Sequence, residues 1–261
     1  MRVQGYWADQ KAPTFRDLPG DTIAILPLGA TEQHGPHLPV SVDTTLVEAV
    51  LARSLPQWSE KTNALILPTL SITKSNEHLN HPGTLTITAR TLLAMLDDIG
   101  ASVARAGIKR LVMLNGHGGN TAILEVACRE LRLAHGLISA HALWFGFADS
   151  DTRIETEDAA HDLHAGDIET SAMLAAKGHL VDMDLAPNQA PKSRDWQSDL
   201  RWIGLNGQAA RPGWKVDDLT PSGVCGNASA ASSDKGEALL NSAAKNLADF
   251  LQEFASFDPE H

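Results

Sequence analysis

The stretch LPLGATEQHGPHLPVSVDTT, residues 26–45, decides how the rest of the chain is read. Its first residues complete TIAILPL (22–28), an Ile- and Leu-rich run with little polar alternation, as in a strand covered on both faces. Its last residues open TTLVEAVLARSL (44–55), whose apolar positions return at helical spacing. Strand, polar loop and helix in that order are the repeating unit of an α/β fold, in which ligands bind beyond the carboxyl ends of the strands. The loop carries Glu32, His34, His37 and Asp43. In an extended segment residues i and i+2 share a side, so Glu32 and His34 can face one point while Gln33 faces away. GPHLP is too proline-rich to be helical and must loop, which delivers Asp43 just ahead of a helix starting near Thr44. Taken singly, these residues have simpler readings. Asp43 can be a helix N-cap, and Glu32 with His34 a surface turn.

Working outward, ALILP (64–68), RLVMLNG (110–116) and LISAHAL (137–143) read as further buried strands. Helical patterns fall at 89–107, at 120–136 with Asn120 as N-cap and Gly136 as C-cap, at 166–178 and at 232–254. This alternation predicts an α/β fold with a mainly parallel sheet and helices on both faces. A chain of 261 residues suits one domain, 1–261, with a single sizeable core. Residues 186–222 break the pattern: they lack aliphatic runs and hold Trp196, Trp202 and Trp214, as a functional loop or an oligomer contact would.

A second chemical cluster follows the strand at 110–114. In NGHGGN (115–120) three glycines let the backbone pass close to other groups, and His117 projects from the strand end. Glu32, His34, Asp43 and His117 then converge from two neighbouring strand ends, a nitrogen and oxygen donor set that suits Zn, Mn or Fe without a thiolate. HDLHAGDIETS (161–171) places His164 before a turn into a helix and Glu169 near that helix's first turn, where Asp167 and Glu169 can also simply complement the positive helix end. In SNEHLNHPGT (75–84), His78 and His81 can line the same cleft, and His37 reads as structural or supporting.

Composition narrows the classes. Lys and Arg number 21 against 32 Asp and Glu, for a net charge of −11, and no basic run appears, which argues against nucleic acid and anionic membrane surfaces as partners. No apolar run approaches the ~18 residues of a membrane span. The first residues, MRVQGYWADQKAPTF, contain no apolar stretch of the signal-peptide kind. Cys128 and Cys225 are isolated, with Cys128 expected as a buried thiol in mid-helix, and such usage suits a reducing compartment; a cytoplasmic protein is expected. Neither GxSxG nor GxxxxGK[ST] occurs, against a serine hydrolase and a P-loop NTPase.

EQHGPHLPVSVDT, NGHGGN, HAGDIETS and SGVCGNASAASSDKGE, with HPGT between them, resemble in content and order the creatininase (creatinine amidohydrolase) family over about residues 22–240. The resemblance implies a three-layer α/β/α hydrolase, a homo-hexamer and two divalent metal ions. It implies that Glu32 and His117 hold the first ion, His34 the second, that Asp43 bridges them and that His164 shuttles protons. One departure is clear. Creatininase itself has Tyr-Glu after the His of its NGH motif, the Glu being a metal ligand, where this chain has Gly118 and Gly119. Either Glu169 reaches the second metal, or that ion is held more weakly with water completing its shell. The change argues against creatinine as substrate. Members with NGHGGN look more like formamide-cleaving enzymes of flavin and deazaflavin precursor synthesis, the peptidase of mycofactocin maturation, or ring-opening hydrolases of sugar-like diketones. The expected function is therefore hydrolysis of a C–N bond in a small cyclic amide or formamide by a hydroxide bridging two Zn, Mn or Fe ions. Gly118, Gly119 and His78 would meet the substrate. The alternatives are a ring-opening hydrolase of a lactone or cyclic diketone, and a non-catalytic metal-binding scaffold.

Overall fold

The structure, a computed structural model, describes residues 2–150, 152 and 159–260. In chain order its elements are β1 (Gln4–Tyr6), β2 (Ile23–Leu28), α1 (Val42–Ser54), β3 (Ala64–Ile66), α2 (Ala89–Arg105), β4 (Arg110–Asn115), α3 (Thr121–His135), β5 (Ile138–Leu143), α4 (Asp167–Lys177), β6 (Asn188–Gln189), α5 (Ser193–Asp199), α6 (Val216–Leu219), β7 (Gly226–Asn227) and α7 (Ser233–Ser256), with short 3₁₀ segments in several of the connections.

Why β2 shows no alternation is plain from its packing. Ile23 and Ile25 point into one core, with Val112 and Leu114 of β4, under α1, α4 and α7. Ala24, Leu26 and Leu28 point into the other, with Leu111 and Met113 of β4, under α2 and α3. The strand period of two is present but both faces are buried, so both carry apolar residues. The sheet runs β1-β3-β2-β4-β5 with every pair parallel. The result is a three-layer α/β/α fold. Leu26 is 1% exposed in the α2/α3 core. Leu26→Ala is expected to lower stability by about 2–5 kcal/mol, read as a shift in urea midpoint at unchanged slope. A loss below about 1 kcal/mol would count against this packing.

Several boundaries differ from the sequence expectation. β1 was too short to read from pattern and forms one sheet edge. β3 spans three residues of the expected 64–68. β5, expected to be buried, is the other edge, and all six of its residues are half-buried. α1 begins at Val42, so Asp43 lies inside its first turn, and Ser41 occupies the N-cap. Asn120 flanks α3 without capping it; its amide donates to Thr73 Oγ1 at 3.1 Å and Asn115 Oδ1 at 3.2 Å. Gly136 does close α3 in the left-handed region, φ 67°. Cys128 is half-buried in α3, and Cys225 is the buried thiol. Residues 186–222 hold β6, α5 and α6 and fold over a small cluster of Leu205, Leu219 and Cys225, with Trp196 and Trp214 against it and Trp202 exposed. No helix among the described residues is long and apolar enough to cross a membrane.

Two features of this scaffold set up the site. Leu28 pairs with Asn115, so β2 and β4 end side by side. A Cβ at Gly116 would overlap the carbonyl oxygen of Asp43, so the glycine lets the first turn of α1 close onto the end of β4.

Candidate metal centre

In the loop after β2, Thr31 is bridged to Leu85 and the Glu32 amide donates to the Val40 carbonyl at 3.0 Å. The Glu32 and His34 side chains face one point. Glu32 Oε1 lies 3.2 Å from His117 Nδ1, and Asp43 Oδ2 lies 3.4 Å from the same nitrogen. Asp43 Oδ1 lies 3.4 Å from His34 Nε2, and Glu169 Oε2 lies 3.7 Å from it. Asp43 thus turns one oxygen to each imidazole. Among the described residues, Glu32 with Asp43 and His117, and His34 with Asp43 and Glu169, are groups able to hold a metal ion; Glu32, His34 and His164 form a third. Glu32, His34, Asp43 and His117 are all buried.

Glu32, His34, His117 and Glu169 are held from behind. Ser75 Oγ donates to Glu32 Oε2. His34 Nδ1 donates to the Glu32 carbonyl at 3.1 Å, which leaves Nε2 for the centre. The His117 backbone is clasped by Asn115, whose amide donates to the His117 carbonyl at 2.7 Å while its Oδ1 accepts the His117 N–H at 3.1 Å. Glu169 Oε2 accepts the Ala165 N–H at 2.6 Å. Ala165 is a non-glycine residue in the left-handed region, φ 54°, the kind of backbone strain that gathers at functional turns. His164 is anchored as one half of an antiparallel bridge to Cys225, so the late SGVC motif supports the HAG motif.

His164 Nε2 donates to the Gln33 carbonyl at 2.8 Å, and its Nδ1 lies 3.7 Å from Glu32 Oε1. Gln33, expected to face away, is buried against two of the imidazoles that approach Glu32. Its amide nitrogen lies 2.9 Å from His78 Nδ1, 3.2 Å from His164 Nε2 and 3.1 Å from the Gly223 carbonyl. His78 is buried too, with Nε2 3.5 Å from Glu32 Oε1 and its ring 4.4 Å from that of His164. His81 points elsewhere, to Asp217 Oδ1 at 3.0 Å. His37 Nε2 pairs with Thr170 Oγ1 at 2.8 Å and takes no part in the centre. Gly118 and Gly119 open a 3₁₀ turn directly after His117.

Charge state follows from this crowding. Burial works to lower the His34 pKa, but Asp43, Glu169 and Glu32 outweigh it and raise it to about 9. His117 is raised well above its ordinary value against the same burial, by Glu32, Asp43 and Glu77. Burial pushes Glu169 up to about 7, against the pull of His34. His164 goes the other way: burial, then His34 and His78, hold it well below its ordinary value, so it is neutral.

Sequence reading missed Lys74, Ser75 and Glu77, which wrap the far side of Glu32 and His117. The signal available was the polar run KSNEH, residues 74–78, in the connection between β3 and α2.

The creatininase profile, described as creatinine amidohydrolase, matches residues 8–251. The chain is 30% identical to creatinine amidohydrolase of Pseudomonas putida over 95% of this chain and 94% of that protein. It is 33% identical to the mycofactocin precursor peptide peptidase of Mycobacterium ulcerans over 94% of this chain and 90% of that protein. Among solved structures, a glutamate-to-glutamine mutant creatininase of Zn-Zn type superposes with a TM-score of 0.73 at 27% identity, covering 95% of this chain and 97% of that one. With the profile spanning nearly the whole chain and the buried carboxylate–imidazole cluster at the strand ends, the chain belongs to the creatininase family of hydrolases.

Proposed function

We propose that this protein is a divalent-metal-dependent amidohydrolase that cleaves the C–N bond of a small cyclic amide or formamide. The observation that carries the reading is a set of buried polar atoms without hydrogen-bond partners: Glu32 Oε1, His34 Nε2 and Asp43 Oδ2. Buried polar atoms are normally paired, and these three face one another among carboxylates. Two cations would satisfy them, one at Glu32 Oε1 and Asp43 Oδ2 and the other at His34 Nε2, and the hard oxygen and imidazole donors fit Zn, Mn or Fe.

Glu32, Asp43 and His117 would hold one ion, and His34, Asp43 and Glu169 the other, with Asp43 shared through its two oxygens. Glu169 thus stands in for the carboxylate that Gly119 cannot supply. Divalent ions in such a site supply acidity to water and polarise a substrate carbonyl. The chain's own residues do the rest. His164, neutral and with Nε2 already committed to Gln33, offers Nδ1 to take a proton from the attacking water and pass it to the leaving nitrogen. The Gly118 and Gly119 amides, in the turn directly after His117 and bare of side chains, would donate to a developing oxyanion. A homo-hexamer is part of the same proposal.

The test is metal analysis followed by turnover. About two equivalents of metal are expected; none would leave the scaffold alternative. A panel of formamides, cyclic amides, lactones and cyclic diketones then tests the bond. Turnover confined to lactones or diketones would replace C–N cleavage with ring opening. Metal uptake should also depend on pH. His34 of the metal-free protein keeps a proton up to about pH 9 and must lose it to bind a metal. Apparent zinc affinity is therefore expected to rise from about pH 7 to about 9, with proton release visible as buffer-dependent binding enthalpy. A flat profile would count against His34 as a ligand.

A further inference from the structure

We propose that Glu77 is a positioning residue for His117: with the Lys74 carbonyl it keeps the ring protonated at Nε2 and so presents Nδ1 to the metal centre, and Gly119 is the socket that admits it. The consequence for metal binding rests on the function proposed above; the geometry stands by itself.

The His117 ring has two sides. Nδ1 faces Glu32 Oε1 at 3.2 Å and Asp43 Oδ2 at 3.4 Å. Nε2 faces outward, to the Lys74 carbonyl at 3.0 Å and to Glu77 Oε1 at 3.4 Å. Both outer neighbours are acceptors and hold the Nε2 hydrogen, so a cation seated between Glu32 and Asp43 would displace the proton on Nδ1 and leave the one on Nε2. Glu77 is buried in the 3₁₀ turn Asn76–His78, and its other oxygen is gripped by Lys74 Nζ at 2.6 Å. Lys74 therefore acts twice, its carbonyl on His117 and its ammonium on Glu77. The Lys74 ammonium at 2.6 Å favours the charged carboxylate.

Gly119 completes the arrangement. A Cβ there would overlap Glu77 Oε1 and His117 Nε2 together. Any side chain at this position would have to expel Glu77 or turn the ring. The glycine that looks, along the sequence, like a lost ligand is the space in which an outer carboxylate sits against a ligand histidine. Outer partners of this kind fix tautomer and ring orientation, and losing one costs about 10–100-fold in metal affinity.

The experiment uses the full chain and zinc alone. Zinc dissociation constants are measured by chelator competition for wild type, Glu77→Ala and Gly119→Ala. The His117 Nε2–H resonance is followed in the zinc-loaded, histidine-¹⁵N protein. Both variants are expected to bind zinc about 10–100-fold more weakly, and the Nε2–H resonance, sharp in wild type, to broaden or vanish. If either the affinity or the resonance of Glu77→Ala matches wild type, the proposal is overturned, because Glu77 then neither orients the ring nor holds its proton. Should Glu77→Ala fail to fold, Glu77→Gln decides by the same two readouts. Wild-type protein that takes up no zinc would instead overturn the metal centre itself, an outcome distinct from a variant that matches a zinc-binding wild type.

Discussion

Glu32→Gln is expected to empty the centre of metal and abolish turnover while leaving the fold intact. Glu32 is fully buried; Oε2 is held by Ser75, and Oε1 has no partner of its own. An amide in its place keeps the shape and removes the charge. Metal affinity should fall by more than the about 10–100-fold that loss of an outer hydrogen bond costs, because a ligand charge is lost and not merely its orientation. With metal stripped from both proteins, the variant is expected to keep a cooperative melt close to that of wild type, because the amide fills the same volume beside Ser75. Metal content by elemental analysis and unfolding by circular dichroism check both halves. Full metal and full turnover in Glu32→Gln would remove Glu32 from the centre.

His164→Ala is expected to keep the metal and lose about 10²–10⁴-fold in kcat, the usual worth of one positioned acid or base. The prediction is sharp because the structure offers His164 two roles. It lies close enough to Glu32 and His34 to be counted with them as a possible ligand group. Its Nδ1, neutral and facing Glu32 at 3.7 Å, equally suits proton transfer. Metal content separates the two. Metal lost together with rate makes His164 a ligand and ends the shuttle role; unchanged rate makes it a bystander.

How far the chain was legible depends on the distance over which each feature is decided. Glu32 and His34 share a face because they are two apart in an extended segment, and that needs no tertiary structure. The strand at 23–28 and the left-handed close at Gly136 are equally local, set by burial pattern and by the one residue type free to take positive φ. The helix start was misplaced by two residues because Ser41 and Val42 carry no signal stronger than Thr44 and Thr45. The edge position of β5 could not be read at all, because its Ile, Ala and Leu fit a central strand as well as an edge.

By itself the sequence determined the α/β alternation, the four residues that converge on the centre and their nitrogen and oxygen chemistry. Local periodicity places side chains, and side-chain type sets what they can bind. Only the tertiary structure decided what stands behind them. Lys74 and Glu77 lie some forty residues from His117 along the chain and meet it at the strand ends. Gln33 meets His164 across 131 residues. No spacing rule predicts such contacts, since they exist only where the ends of β2 and β4 are brought side by side. Gly119 shows the difference most directly. In one dimension it is a missing carboxylate; in three it is the room another carboxylate needs, because two atoms cannot share the volume a Cβ would fill.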